Sequence, residues 1–135
     1  MISFRVGSIM YEIGTPSFLH SFFSTVAYRL ENEKWGSKFP VIMNELYQGK
    51  LSYRKASVAK EELDRIKKGL ALFLPDKVIW DIDDLSKRPP WGNDISESIT
   101  SLENYFVTCD GRDFIEILDN ALDDAIEMKE DVLIQ

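Results

Sequence analysis

The sequence predicts an α+β fold in which about four helices pack on a small, mostly antiparallel sheet. The order of predicted elements, β(β)-α-α-α-β-β-α-(β), lacks the strict alternation of strand and helix that is typical of a doubly wound parallel sheet. The 135 residues, 44% of them apolar and 29% charged, have the length and composition of one globular domain spanning 1–135.

The chain begins with strand signals and continues into a helix. Residues 2–13 are rich in β-branched and aromatic side chains and are interrupted by Gly7-Ser8, which predicts a bent strand or a tight hairpin. Thr15-Pro16 supplies an N-cap and a first helical residue. The helix over about 16–32 has one apolar face, expected to lie on the sheet, made of Phe18, Leu19, Phe22, Phe23, Val26, Ala27 and Leu30.

Two further helices are expected before residue 75. Pro40 begins a short second helix that Gly49 ends. The third helix, over about 53–73, has apolar residues at i, i+4, i+7, i+11 and i+14 counted from Ala59, and its outer face mixes charges of both signs.

The second half begins with strand candidates at 77–80 and 105–108, separated by a long loop. A last helix is expected over about 112–130, with Asp110 placed to cap it, and a short strand at 132–134. This arrangement completes the small sheet.

Charge is distributed unevenly along the chain. Residues 1–75 hold 11 Lys and Arg against 7 Asp and Glu, whereas residues 76–135 hold 5 against 16, a balance of −11. An acidic half argues against nucleic-acid binding, because phosphate contacts require Lys and Arg. It favours a basic protein partner attracted by long-range electrostatics, or it serves only to keep the protein in solution.

Nothing in the sequence predicts a membrane segment or a secreted protein. No apolar run reaches the roughly 18 residues of a membrane-spanning helix, and the first residues lack the pattern of a signal peptide. The single cysteine, Cys109, has no partner for an internal disulfide. We therefore expect a cytoplasmic protein that does not bind membranes.

Catalytic residues are not indicated. Cys109 with His20 as its base is the one nucleophile–base pair that the composition allows, and no surrounding motif supports it. His20 is the only histidine and has no metal-ligand spacing around it, so a structural or surface role is expected. The sequence predicts no cofactor.

The acidic cluster at Asp81, Asp83 and Asp84 does not fit the pattern of a calcium-binding loop. The calcium-binding loop needs glycine at its sixth position and glutamate at its twelfth, and counting from Asp81 these are Ser86 and Gly92. No metal is therefore expected. The alternative function is that of a small hydrolase or transferase using Cys109 or this cluster, which would require the carboxylates to converge in a pocket.

The outer face of the last helix is strongly acidic. Like charges four residues apart, as in Asp119, Asp123 and Glu127, destabilise a helix by roughly 0.2–0.5 kcal/mol per pair. Such a face indicates either a contact surface for a partner or a solubilising surface.

A tryptophan stands in the long loop, between Pro89-Pro90 and Gly92. A rigid aromatic flanked by charges has the composition of an interface anchor. The alternative is that Trp91 folds back on the core and the prolines set the path of the loop.

Four segments carry a resemblance to a known family: YEIGTPSFLHSFFSTVAYRLE (11–31), KFPVIMNELYQGKL (38–51), KVIWDIDDLSKRPPWGNDIS (77–96) and ITSLENYFVTCDGRDF (99–114). Together they resemble the immunity protein 70 family of bacterial polymorphic-toxin systems, over most of the chain and in the same order. The resemblance implies a non-enzymatic protein that binds the C-terminal toxic domain of a cognate secreted toxin. Many such toxins are nucleases, and nuclease domains tend to be basic.

The resemblance supplies no catalytic residue, so the toxin-binding surface is inferred from charge and expected exposure. The first choice places it at the acidic cluster and the loop, with Trp91 as the apolar anchor among Asp81, Asp83, Asp84 and Asp94. The second choice is the acidic face of the last helix at Asp119, Asp123 and Glu127.

Overall fold

The computed structural model describes all 135 residues, and its sheet has four strands. These are β1 (Ile2–Val6), β2 (Ile9–Gly14), β3 (Lys50–Leu51) and β4 (Val132–Ile134). The first two form the predicted hairpin, whose turn requires Gly7 at φ 58°. The strand order is β2-β1-β4-β3 and every pairing is antiparallel, so the last strand lies between the first and the third.

Four helical segments pack with this sheet. They are α1 (Pro16–Thr25), a mixed segment of π-helix (Val41–Glu45) and 3₁₀-helix (Leu46–Gln48), α2 (Ala56–Leu70) and α3 (Phe114–Met128). The predicted α+β class is confirmed. None of these helices combines the length and the apolar character that crossing a membrane would require.

The sequence signals at the start of α1 have the expected physical effect. The Thr15 hydroxyl accepts the amide N–H of Phe18 at 3.1 Å, and Pro16 occupies the first turn. The helix continues as one turn of π-helix over Val26–Leu30, where the predicted single helix changes its hydrogen bonding.

One cluster of 30 buried apolar residues forms the core. Aromatic rings from separate parts of the chain meet at its centre, with ring centroids 4.6 Å apart for Phe22 and Phe114 and 5.3 Å for Phe22 and Phe106. The apolar face of α1 therefore packs against α3 and the 102–106 region as well as the sheet.

Two buried glutamates hold the chain between α1 and α2. Glu31 accepts three backbone N–H groups, from Gly36, Lys38 and Phe39, at 2.9–3.1 Å. Glu62 accepts the N–H groups of Val41 and Ile42, which begin the π-helical turn. These carboxylates provide the partners that buried amides need where no strand or helix pairs them.

The two strands predicted at 77–80 and 105–108 are absent, so those predictions were wrong. The backbone of Ile79 and Ile82 bonds with side chains of α1 rather than with another strand. At 105–108 only an isolated bridge between Val107 and Asp113 forms. Of the apolar residues that suggested strands, Tyr105 and Phe106 are buried in the core and Val78 and Trp80 pack partly against it, whereas Val107 is exposed.

The predicted cap of the last helix was also wrong. Asp113, not Asp110, accepts the N–H of Ile115 and caps α3, while Asp110 accepts the hydroxyl of Thr108. The amide of Thr108 bonds with the carbonyl of Arg112 at 2.7 Å, which closes a tight turn before the helix begins. The helix start therefore lies later than the turn signal at Asp110-Gly111 suggested.

Candidate functional site

Residues 78–101 contain no helix or strand and are called the loop segment below. The polar side of α1 holds its first residues through contacts with Ile79 and Ile82. The carbonyl of Ile79 accepts the hydroxyls of Ser21 (2.9 Å) and Thr25 (3.1 Å), and Ser24 accepts the N–H of Ile82 (3.1 Å). These three hydroxyl residues are fully buried, so the loop segment covers the side of α1 that faces away from its apolar surface.

The acidic cluster contacts the only histidine of the chain. His20 Nε2 lies 3.2 Å from an oxygen of Asp81 and 3.7 Å from an oxygen of Asp83, and His20 Nδ1 lies 2.9 Å from the hydroxyl of Tyr47. The sequence prediction missed this contact because 61 residues separate His20 from Asp81. His20 on the helix thereby orients the beginning of the loop segment.

Two carboxylates of the cluster, Asp81 and Asp84, have lowered pKa values. The amide N–H of Asp83 donates to Asp81 at 2.9 Å and, with His20, lowers the pKa of Asp81 below its usual value. Hydrogen bonds from the hydroxyl and amide of Ser86 lower the pKa of Asp84. Carboxyls that stay ionised are suited to attracting a cation rather than to donating a proton.

His20, Asp81 and Asp83 are close enough together to be considered as ligands of a metal ion. Ligand atoms of His20, Asp81 and Asp83 lie within 4.8 Å of one another, and the donor types are ones that zinc accepts. Asp81 already contacts His20, and the ammonium of Lys87 lies 3.6 Å from its other oxygen. Asp83 is 83% exposed, so the three groups lie open to solvent rather than in an enclosed site.

Trp91 is neither fully exposed nor buried. Its indole N–H donates to the hydroxyl of Tyr105 at 2.8 Å, and its ring packs edge-on against Trp80 with centroids 5.4 Å apart. It is 39% exposed, and Pro89 beside it is buried. Trp91 is therefore attached to the core by its indole N–H and remains partly exposed, which combines the two alternatives left by the sequence.

Asp94 lies on the far side of Trp91 and borders a cavity of about 330 Å³. Its amide N–H bonds with the carbonyl of Trp91 at 3.0 Å, so the chain turns at this point. The side chain of Asp94 is exposed. The loop segment thus places Asp94 beside Trp91, whereas Asp81 and Asp83 lie beside His20.

The acidic face of α3 is a separate surface with partial charge compensation. Lys60 of α2 hydrogen-bonds with Asp123 and lies 3.4 Å from Asp119. The bond with Asp123 is the main cause that raises the pKa of Lys60. Glu127 is exposed and makes no ion pair. Two of the three α3 carboxylates therefore serve the packing of α2 on α3.

The nucleophile–base pair of the alternative hypothesis does not form. Cys109 is exposed, and its amide bonds with the carbonyl of Ile13 at 3.0 Å. Both ring nitrogens of His20 lie within hydrogen-bond distance of other groups, Tyr47 and Asp81, and neither contacts Cys109.

Comparison with known proteins adds the identification. No curated protein and no solved structure was significantly similar to the chain. The family described as Immunity protein 70 matches residues 4–134 of the 135 residues. The match spans the sheet, all four helical segments and the loop segment, and the chain therefore belongs to the Immunity protein 70 family.

Proposed function

We propose that this protein neutralises the C-terminal toxic domain of a cognate secreted bacterial toxin by binding it stoichiometrically in the cytoplasm of the producing cell. Membership in an immunity protein family implies a toxin as partner and a non-enzymatic role. In this proposal the protein is the protective half of a polymorphic-toxin system used in bacterial competition. It requires no cofactor.

The toxic domain is proposed to be a nuclease. A nuclease needs a basic surface to contact phosphates, and the half of this chain after residue 75 carries a balance of −11. Complementary charge accelerates association and excludes wrong partners. The protein would cover the nucleic-acid-binding surface of the toxin and would not itself bind nucleic acid.

The interface is proposed to lie on the loop segment, and the ionised, exposed carboxylates there carry this proposal. Asp83 and Asp84 face solvent, and hydrogen bonds lower the pKa of Asp84 and of the neighbouring Asp81. Asp94 and the exposed part of Trp91 extend the surface. Because α1 anchors the start of the loop segment, the segment loses little conformational entropy when a partner binds these charges.

The acidic face of α3 is the second choice. Asp119 and Asp123 both contact Lys60, which reduces the negative charge available to a partner. Glu127 remains free, and it would extend the contact if the toxin reached this face.

The test uses the C-terminal domain of the toxin encoded next to this protein. The variant Asp83→Lys plus Asp84→Lys should weaken binding about 100-fold and change its dependence on salt, because like charges would then face each other. Glu61→Lys plus Asp64→Lys on the exposed face of α2 makes the same change in net charge and should leave affinity within about threefold. Calorimetry gives the affinity and stoichiometry, and thermal unfolding checks the fold.

Each result has a definite meaning. Equal affinity and salt dependence for the loop variant and the unsubstituted protein would remove the interface from the loop segment. Absence of binding by the unsubstituted protein would refute the toxin-neutralising function itself. A toxin domain that does not cleave DNA or RNA would refute the nuclease assignment alone.

A further inference from the structure

We propose that the cavity beside Trp91 is a receptor for one apolar side chain of the toxin, flanked on the toxin by a Lys or Arg that pairs with Asp94. This inference rests on the proposed function, because it takes the toxic domain as the occupant. It assigns Trp91 a different role from that of an inserted anchor. Trp91 forms the wall of a groove that the toxin enters.

The groove is apolar and open to solvent. Its volume is about 330 Å³, at the small end of the range for ligand pockets. Six of its eight lining residues are hydrophobic, and those used here are Phe18, Trp91, Ile95, Ile99, Tyr105 and Val107. Such a space suits one large aliphatic or aromatic side chain better than an extended ligand.

The groove is also formed in advance. Trp91 is held through its hydrogen bond with Tyr105 and its contact with Trp80. Tyr105 is itself 5% exposed and packs edge-on against Phe106 of the core, with centroids 5.1 Å apart. Because the walls of the groove are already ordered, binding a side chain there carries little entropy cost for ordering them. More of the free energy gained by burying that side chain therefore contributes to affinity.

Val107 supplies an exposed apolar part of the groove lining. It is 42% exposed, although Tyr105 and Phe106 just before it are buried. Its neighbours in the chain are fixed by backbone bonds from Thr108 to Arg112 and from Phe114 to Phe106. The exposed valine is therefore part of a rigid rim and not of a loose loop.

Charge indicates the chemistry of the occupant. Asp94 is the only ionisable carboxylate that lines the groove. The whole loop segment holds five Asp and Glu against Lys87 and Arg88. A partner that seats an apolar side chain here would bring its adjacent residues against negative charge, so a basic residue next to the apolar one is the complementary pattern.

The decisive variant is Val107→Asp, tested for binding to the purified C-terminal domain of the cognate toxin. It places a charge at the apolar rim and at the same time makes the surface more acidic. Contact by charge alone would tolerate or favour the change, whereas an apolar contact would lose the burial of one side chain. We expect affinity to fall about 10- to 100-fold.

A matched control is available at Val58, which is 48% exposed on α2 and outside the groove. Val58→Asp should bind as tightly as the unsubstituted protein. Asp94→Lys, at an exposed position, should also weaken binding, and raising the salt concentration should reduce the difference from the unsubstituted protein. If Val107→Asp fails to fold, Val107→Thr keeps the shape and decides the question by a loss of about threefold or more.

The outcomes separate the two proposals. Toxin binding by the unsubstituted protein with no loss in the folded Val107 variant would overturn the groove while leaving the proposed function intact. No binding by the unsubstituted protein would overturn the proposed function first. Equal losses at Val107 and Val58 would show an effect of added charge rather than of the groove.

Discussion

The indole N–H of Trp91 donates to the hydroxyl of Tyr105 over 2.8 Å and ties the middle of the loop segment to the core. Burial raises the pKa of Tyr105, so its hydroxyl remains protonated and neutral across the physiological range. This contact connects a solvent-facing ring with a residue packed against Phe106.

Replacing Tyr105 by Phe removes the acceptor and retains the ring. We expect stability to fall by about 1 kcal/mol, because the partly buried indole N–H loses its partner. Amide hydrogen exchange over residues 91–96 should quicken, and tryptophan fluorescence should shift to the red as Trp91 becomes more exposed. Tyr28→Phe is the control, since the Tyr28 hydroxyl makes no hydrogen bond within the protein. Equal hydrogen exchange in the two variants would contradict a role for the Trp91–Tyr105 hydrogen bond in ordering the loop segment.

Glu31 should be among the most sensitive polar positions. Glu31→Ala would leave the N–H groups of Gly36, Lys38 and Phe39 without their acceptor in a buried place, and we expect a loss of at least about 2 kcal/mol. Chemical denaturation measures it. Glu61→Ala on the exposed face of α2 serves as the matched change, with an expected effect within about 0.5 kcal/mol. A Glu31 variant as stable as that control would mean that the three amides find other partners.

Tyr11 should titrate at unusually high pH. Burial first, and then the hydrogen bond donated to Asp124 over 2.6 Å, raise the pKa of Tyr11 to about 12. Since the folded-state pKa exceeds the usual value of about 10, the stabilising contribution is complete below pH 10 and is lost as pH rises towards 12. Phenolate absorbance, compared with that of Tyr11→Phe, isolates this titration.

Removing the acceptor should lower that pKa only in part. Asp124→Ala leaves much of the burial in place, so the pKa of Tyr11 should fall but remain above its usual value. Glu127→Gln, also on α3 and without contact to Tyr11, should not shift it. An unchanged pKa after Asp124→Ala would show that burial alone causes the shift.

Local sequence signals predicted much of the fold. Thr15-Pro16 began α1, Gly49 ended the segment after Pro40 in a left-handed conformation, and Gly7 turned the first hairpin. These residues act through their own backbone geometry or a hydrogen bond to a near neighbour, so a single sequence displays their effect. The two-residue strand β3 was not predicted, because it is held by β4 from the other end of the chain.

The wrong strands at 77–80 and 105–108 have a common cause. Val78 and Trp80 pack partly against the core, and Ile79 bonds with α1 through its main chain. A short apolar run has the same composition whether it pairs in a sheet or packs against another element. The surroundings of Asp81 depended on His20 and Tyr47, which are distant in sequence. Charge patterns could identify an acidic surface but not these neighbours.

The bonds that attach the loop segment to α1 fix the course of its backbone and do not depend on its side chains. Ser21, Ser24 and Thr25 bond with the main chain of Ile79 and Ile82, and main-chain groups are the same whatever side chain each residue carries. Substitutions of the exposed side chains at 83–88 therefore leave these bonds in place. Under the proposed function, the toxin contacts of this loop could therefore change in evolution while the scaffold that holds it stays the same, as happens in the binding loops of antibodies.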